Sequence, residues 1–122
     1  MSPLVFAAAA AAGGIGAAAR YVLDLAVTRM LGARLPWGIL LINLTGSFAL
    51  GLVSAGVVDA TGVWVLGAGL LGGYTTFSSV AVTTAVLADE RRPTAATLYA
   101  VGTFVGSTAA AFAGSAVGAL LG

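Results

Sequence analysis

Apolar positions gather into four long runs along the chain, from about Leu4 to Val27, Trp37 to Val58, Val63 to Leu87 and Thr94 to Leu121. Each run reaches or exceeds the ~20 residues that a helix needs to cross hydrocarbon. Every charged residue except Arg20 and Asp24 falls in the short connections, Arg29 to Pro36, Asp59 to Gly62 and Asp89-Glu90-Arg91-Arg92-Pro93. Pro36 and Pro93 suit the first turns of the helices that follow them, and Trp37 and Trp64 fall where interfacial aromatics belong. The pattern predicts an all-α membrane protein with a single domain over 1–122 and spans of about 4–27, 37–58, 63–87 and 94–121.

The third run is interrupted at its centre by Gly72-Gly73-Tyr74-Thr75-Thr76-Phe77-Ser78-Ser79. Glycine costs a helix interior about 1 kcal/mol against alanine, and Ser and Thr compete for backbone hydrogen bonds. In lipid, irregular backbone is tolerated only where protein or a cavity receives it. A break near the midplane of helix three is therefore expected, forming part of an ion path.

Composition strengthens the membrane reading. The 122 residues are 60% hydrophobic, with five basic and four acidic side chains, no Cys and no His. A soluble domain carries about a quarter charged residues. The lack of Cys excludes disulfides and thiolate metal sites, and a net charge of +1 gives no nucleic-acid footprint. Met1–Ala19 has no basic n-region and no convincing cleavage site, so a signal peptide is disfavoured.

Four spans place both termini and the Asp59 connection on one side. Arg29, Arg34, Arg91 and Arg92 lie on the other, with Arg20 near that end of helix one. The positive-inside rule then predicts a fixed orientation with both termini extracytoplasmic. Small residues, including Gly102-x-x-x-Gly106 and Gly114-x-x-x-Gly118, suit close helix packing. Four short spans can hardly enclose a pore alone, so at least a dimer is expected.

Polar residues at membrane depth are neutral. Asn43 lies mid-helix, and Tyr99, Thr103 and Ser107 recur at i, i+4, i+8, which aligns their hydroxyls on one face. Phe77, beside the break, offers an electropositive ring edge. Such donors can strip water from a small anion without trapping it, the compromise that conduction requires. Asp24, the only acid within an apolar run, is read as a surface ion pair with Arg20 near a helix end. A proton-coupled multidrug transporter would want a carboxylate at depth. No nucleophile–base pair is present, so an enzyme is not expected.

Three motifs in order, Gly13-Gly14-Ile15-Gly16-Ala17-Ala18-Ala19-Arg20-Tyr21, Asn43-Leu44-Thr45-Gly46-Ser47-Phe48-Ala49-Leu50-Gly51 and Gly72-Gly73-Tyr74-Thr75-Thr76-Phe77-Ser78, resemble those of the small bacterial fluoride channels called CrcB or Fluc. The resemblance covers the whole chain. It implies a passive channel that exports cytoplasmic fluoride and works as an antiparallel dimer with pores along the subunit interface. It implies a structural sodium ion (Na+) at the dimer centre, held by backbone carbonyls that match Gly72 and Thr75. Asn43 and Phe77 match the family's pore asparagine and first pore phenylalanine. Ser78 follows as in the family, Tyr99, Thr103 and Ser107 match its polar track, and Arg20 matches an arginine near the aqueous mouth.

Two pore positions depart from the family. Val80 stands where a second phenylalanine is usual, and Ile39 falls in Gly38-Ile39-Leu40, where the family has a threonine. An acidic residue of helix three is also absent near Val82-Thr83-Thr84. With the fixed orientation, these departures favour one half of a heterodimer whose partner has the opposite orientation. The alternative is a non-conducting subunit that completes a partner's pore.

Overall fold

The computed structural model describes residues 2–122 and contains four helices long and apolar enough to span a membrane. Helix α1 is Pro3–Leu31, α2 is Trp37–Val57, α3 is Ala60–Asp89 and α4 is Pro93–Leu121. Helix α1 opens with Ser2 accepting a hydrogen bond from the Val5 amide at 3.2 Å and with Pro3 in its first turn. It continues to Leu31, so Arg29 lies in its last turn rather than in the connection expected from Arg29 onward. Nothing before Gly32 stops it; Gly32, with φ 85°, does. A basic residue in the last turn also complements the helix dipole. Helix α3 starts earlier than the apolar run because Asp59 caps it, Oδ1 accepting from the Gly62 amide at 2.8 Å.

Two stretches widen into π-helical turns, Val53–Val57 at the end of α2 and Val63–Leu71 in α3. Gly56, with φ 90°, kinks the first from within, and Val58 follows it in extended backbone. Helix α3 breaks after Tyr74 and resumes at Ser78, as its glycines and hydroxyls predict.

Glycines set how closely the spans approach. A Cβ on Gly16 would strike the backbone of Leu70 and Tyr74, and one on Gly73 would strike that of Gly13. A Cβ on Gly69 would lie 2.6 Å from the Ala9 carbonyl oxygen. These contacts seat α1 on the first half of α3. On the other side, Gly114 and Gly118 meet the Phe48–Leu52 turn and Ala55, seating α4 on α2. A Cβ on Gly102 would meet no atom within 4 Å, so within this chain the Gly102–Gly106 pair does not act as one. The buried apolar core is small, comprising Ile39, Ile42, Leu87, Ala96 and Tyr99 between α2, the second half of α3 and α4.

Candidate functional site

The site begins with Asn43. Its Oδ1 accepts from the Thr76 amide at 2.9 Å, and its Nδ2 donates to the Thr76 carbonyl at 3.1 Å. One buried amide thus replaces the neighbouring backbone at the point where α3 loses its helix. Thr76 completes the junction. Its Oγ1 accepts from the Ser79 amide at 3.1 Å and lies 3.2 Å from Ser78 Oγ, capping the second half of α3.

The break leaves the Gly72 and Thr75 carbonyls without their helical amides, and the Gly73 carbonyl likewise receives no bond from the Phe77 amide. In an unbroken helix, the Thr76 amide would bond Gly72 and the Ser79 amide would bond Thr75. Here they go to Asn43 Oδ1 and Thr76 Oγ1. Gly72 and Thr75 are the residues whose carbonyls the resemblance assigns to sodium, and hard oxygen ligands of this kind fit such an ion. On the preceding turn, Tyr74 Oη lies 3.0 Å from Thr45 Oγ1, and Thr75 Oγ1 donates to the Leu71 carbonyl at 2.9 Å.

Beside the break runs an open groove of about 480 Å³ between α2, the second half of α3 and α4. Asn43, Phe77, Val80, Thr103, Phe104 and Ser107 are among the residues that line it. Phe77 is 84% exposed and Phe104 74% exposed, so the groove has no cover from its own chain. The hydroxyls divide into two kinds. Thr84 and Thr108 donate back to the carbonyls of Val80 and Phe104 at 2.7 and 2.8 Å. Tyr99, Thr103 and Ser107 have buried oxygens with no partner, and such groups call for an explanation.

The expected residues are not all brought together. Asn43, Phe77, Thr103 and Ser107 share the groove, and Val80 lies on its wall. Tyr99 is in line on α4 but borders a different cavity, at the Arg34 and Arg92 end. Ser78 braces Thr76 instead of lining the groove. Ile39 is buried in the core. Arg20 is on α1, which contributes nothing to the groove. Asp24 does not match the surface-pair reading, since its carboxylate packs against Gly38, whose missing side chain makes room for it. Phe104 is a groove residue that the sequence does not single out. Its only signal is adjacency to Thr103, and Ser47 likewise joins the groove from the asparagine motif.

Four apolar spans, one of them broken beside a buried amide, and an open, mostly apolar groove with Asn43, Thr103 and Ser107 among its lining residues fit a multi-pass membrane protein. Residues 7–115 match the family described as CrcB-like protein, Camphor Resistance (CrcB). The chain is 46% identical over 107 residues to a fluoride-specific ion channel FluC 1 of Leifsonia xyli subsp. xyli, covering 84% of this chain and 77% of that one. It is 39% identical over 118 residues to a fluoride-specific ion channel FluC of Rhodospirillum centenum, covering 90% and 91%. A FluC of a Caulobacter species is 36% identical over 111 residues, covering 86% and 87%. The chain belongs to the CrcB family of fluoride channels and is a transporter rather than an enzyme.

Proposed function

We propose that this chain is one subunit of a passive, fluoride-selective channel that lets cytoplasmic fluoride leave the cell, and that it pairs with an oppositely oriented, non-identical subunit. The observation that carries the reading is the uncovered groove. Apolar faces can meet lipid without cost, but the broken backbone at membrane depth, with Phe77 and Phe104 standing exposed beside it, calls for cover by protein. A second subunit laid over the groove would enclose them as a path. Along it, Asn43, Thr103 and Ser107 would offer hydrogen bonds and Phe77 a ring edge, with Tyr99 at the entrance and Arg20 drawing anions to the mouth. No fixed cation at depth would hold the ion, which favours rapid passage. Ser78 would act through Thr76 by fixing the break.

Sodium would be held by the carbonyls of Gly72 and Thr75 and would tie the two subunits together at the break. Val80, on the groove wall, would make a pore built from this chain alone poorer, which favours the heterodimer, whereas Ile39 is buried away from the groove. The same departure at Val80 supports a second reading, a non-conducting subunit that completes its partner's pore.

The test is fluoride efflux from liposomes, read with a fluoride electrode beside a chloride control. Efflux selective for fluoride that needs a co-expressed, oppositely oriented relative is expected. Fast efflux from this chain alone would refute the heterodimer. Intact conduction by a pair in which Asn43 and Phe77 of this chain are both replaced by alanine would assign it the assembly role.

A further inference from the structure

A second cavity, of about 570 Å³, lies where the connection between α1 and α2 meets that between α3 and α4. Arg34, Arg91 and Arg92 border it, and Trp37, Leu40 and Leu98 supply apolar wall. Arg92 Nη1 donates to the Arg34 carbonyl at 2.6 Å and ties the two connections together, while Arg34 and Arg91 remain exposed. Asp89 and Glu90, on the adjoining turn, do not line the cavity.

Arg91 is the one non-glycine residue with positive φ, 58°, among those described. The Arg91 amide bonds the Ala88 carbonyl at 3.1 Å and the Arg92 amide bonds the Leu87 carbonyl at 3.0 Å. This is the helix-ending pattern in which glycine is preferred. Local folding would be better served by glycine, so it does not account for a guanidinium here. Helices α2 and α4 both begin at this cavity, and neither has a side-chain cap, which adds positive potential to that of the arginines.

A cationic mouth above an apolar wall, beside a tryptophan at the membrane boundary, complements one ligand class. We infer that the cavity binds the phosphate headgroup of an anionic phospholipid, with Arg34 and Arg91 contacting the phosphate and Arg92 bracing the connections. The apolar wall selects a lipid over free phosphate, because a small anion would leave Leu40 and Leu98 facing water.

The experiment uses Trp64→Phe, which leaves Trp37 as the sole tryptophan. The full chain is reconstituted in phosphatidylcholine vesicles containing a small, fixed fraction of brominated phosphatidylglycerol or brominated phosphatidylcholine. Brominated phosphatidylglycerol is expected to be enriched at Trp37 by about fivefold or more, judged by fluorescence quenching. Arg34→Gln and Arg91→Gly should each reduce that enrichment. Arg91→Gly should keep or raise the thermal midpoint in detergent, which separates lost binding from lost folding. Equal quenching by the two lipids, or enrichment that survives Arg34→Gln and Arg91→Gly combined in one chain, overturns the inference. So does a shift of Trp37 emission by inorganic phosphate in lipid-free detergent, which would assign the cavity to a small anion.

Discussion

At Asn43, oxygen and nitrogen both engage Thr76, leaving one amide hydrogen for the groove. The side chain therefore builds the break and lines the groove at once. Asn43→Ala would leave the Thr76 amide and carbonyl unmet, at about 1–3 kcal/mol for each buried group. A lower thermal midpoint in detergent together with lost fluoride efflux is the expected result. A normal midpoint with lost efflux would separate the two roles. The sequence shows that an amide at this depth needs a partner, but not that the partner is backbone 33 residues away. Phe104 is illegible for a different reason. The i, i+4, i+8 spacing of Tyr99, Thr103 and Ser107 defines one face of α4, and Phe104 is one residue off it. The groove is wide enough to include that residue, opposite the smaller Val80. Phe104→Leu should slow efflux by about tenfold, equivalent to about 1.4 kcal/mol in barrier. Restoring a ring with Val80→Phe should recover part of the loss, and unchanged efflux in Phe104→Leu would remove that residue from the path.

The break in α3 is legible because two glycines and a run of hydroxyls fit no ordinary helix interior. The means of holding it open is not, since it depends on which amides Asn43 and Thr76 capture. The capture frees Gly72 and Thr75, and a sodium ion there should stabilise the assembled protein. Replacing Na+ with a large organic cation should lower the thermal midpoint of the assembled channel, and readdition should restore it. A midpoint indifferent to sodium would leave those carbonyls without an ion. Close packing at the same level can be tested by Gly73→Val, which drives a side chain into the Gly13 backbone. Overpacking of this kind costs about 1–3 kcal/mol. Gly14→Ala is the control, because a Cβ there meets nothing within 4 Å. Equal midpoints for the two variants would mean that α1 seats on α3 more loosely than its backbone contacts imply.

For the whole molecule, the number of spans follows from hydropathy alone, while the course of the path does not. Periodicity aligns Tyr99 with Thr103 and Ser107, yet the groove and the basic cavity divide them. That division follows from the buried cluster in which Tyr99 packs with Ile39, Ile42, Leu87 and Ala96, which residue spacing does not reveal. The open groove then makes orientation the deciding property. A homodimer of antiparallel subunits requires this chain to insert both ways, whereas the arginines at one end and their absence at the other favour one. The chain has no cysteine, so Thr61→Cys and Glu90→Cys each give a single, exposed thiol at opposite ends. In intact cells, a membrane-impermeant maleimide should label Thr61→Cys and spare Glu90→Cys until the membrane is permeabilised. Labelling restricted to one end would mean that an antiparallel pore needs a different chain to cover the groove. Comparable labelling of both before permeabilisation would mean dual insertion, and a second copy of this chain would then suffice.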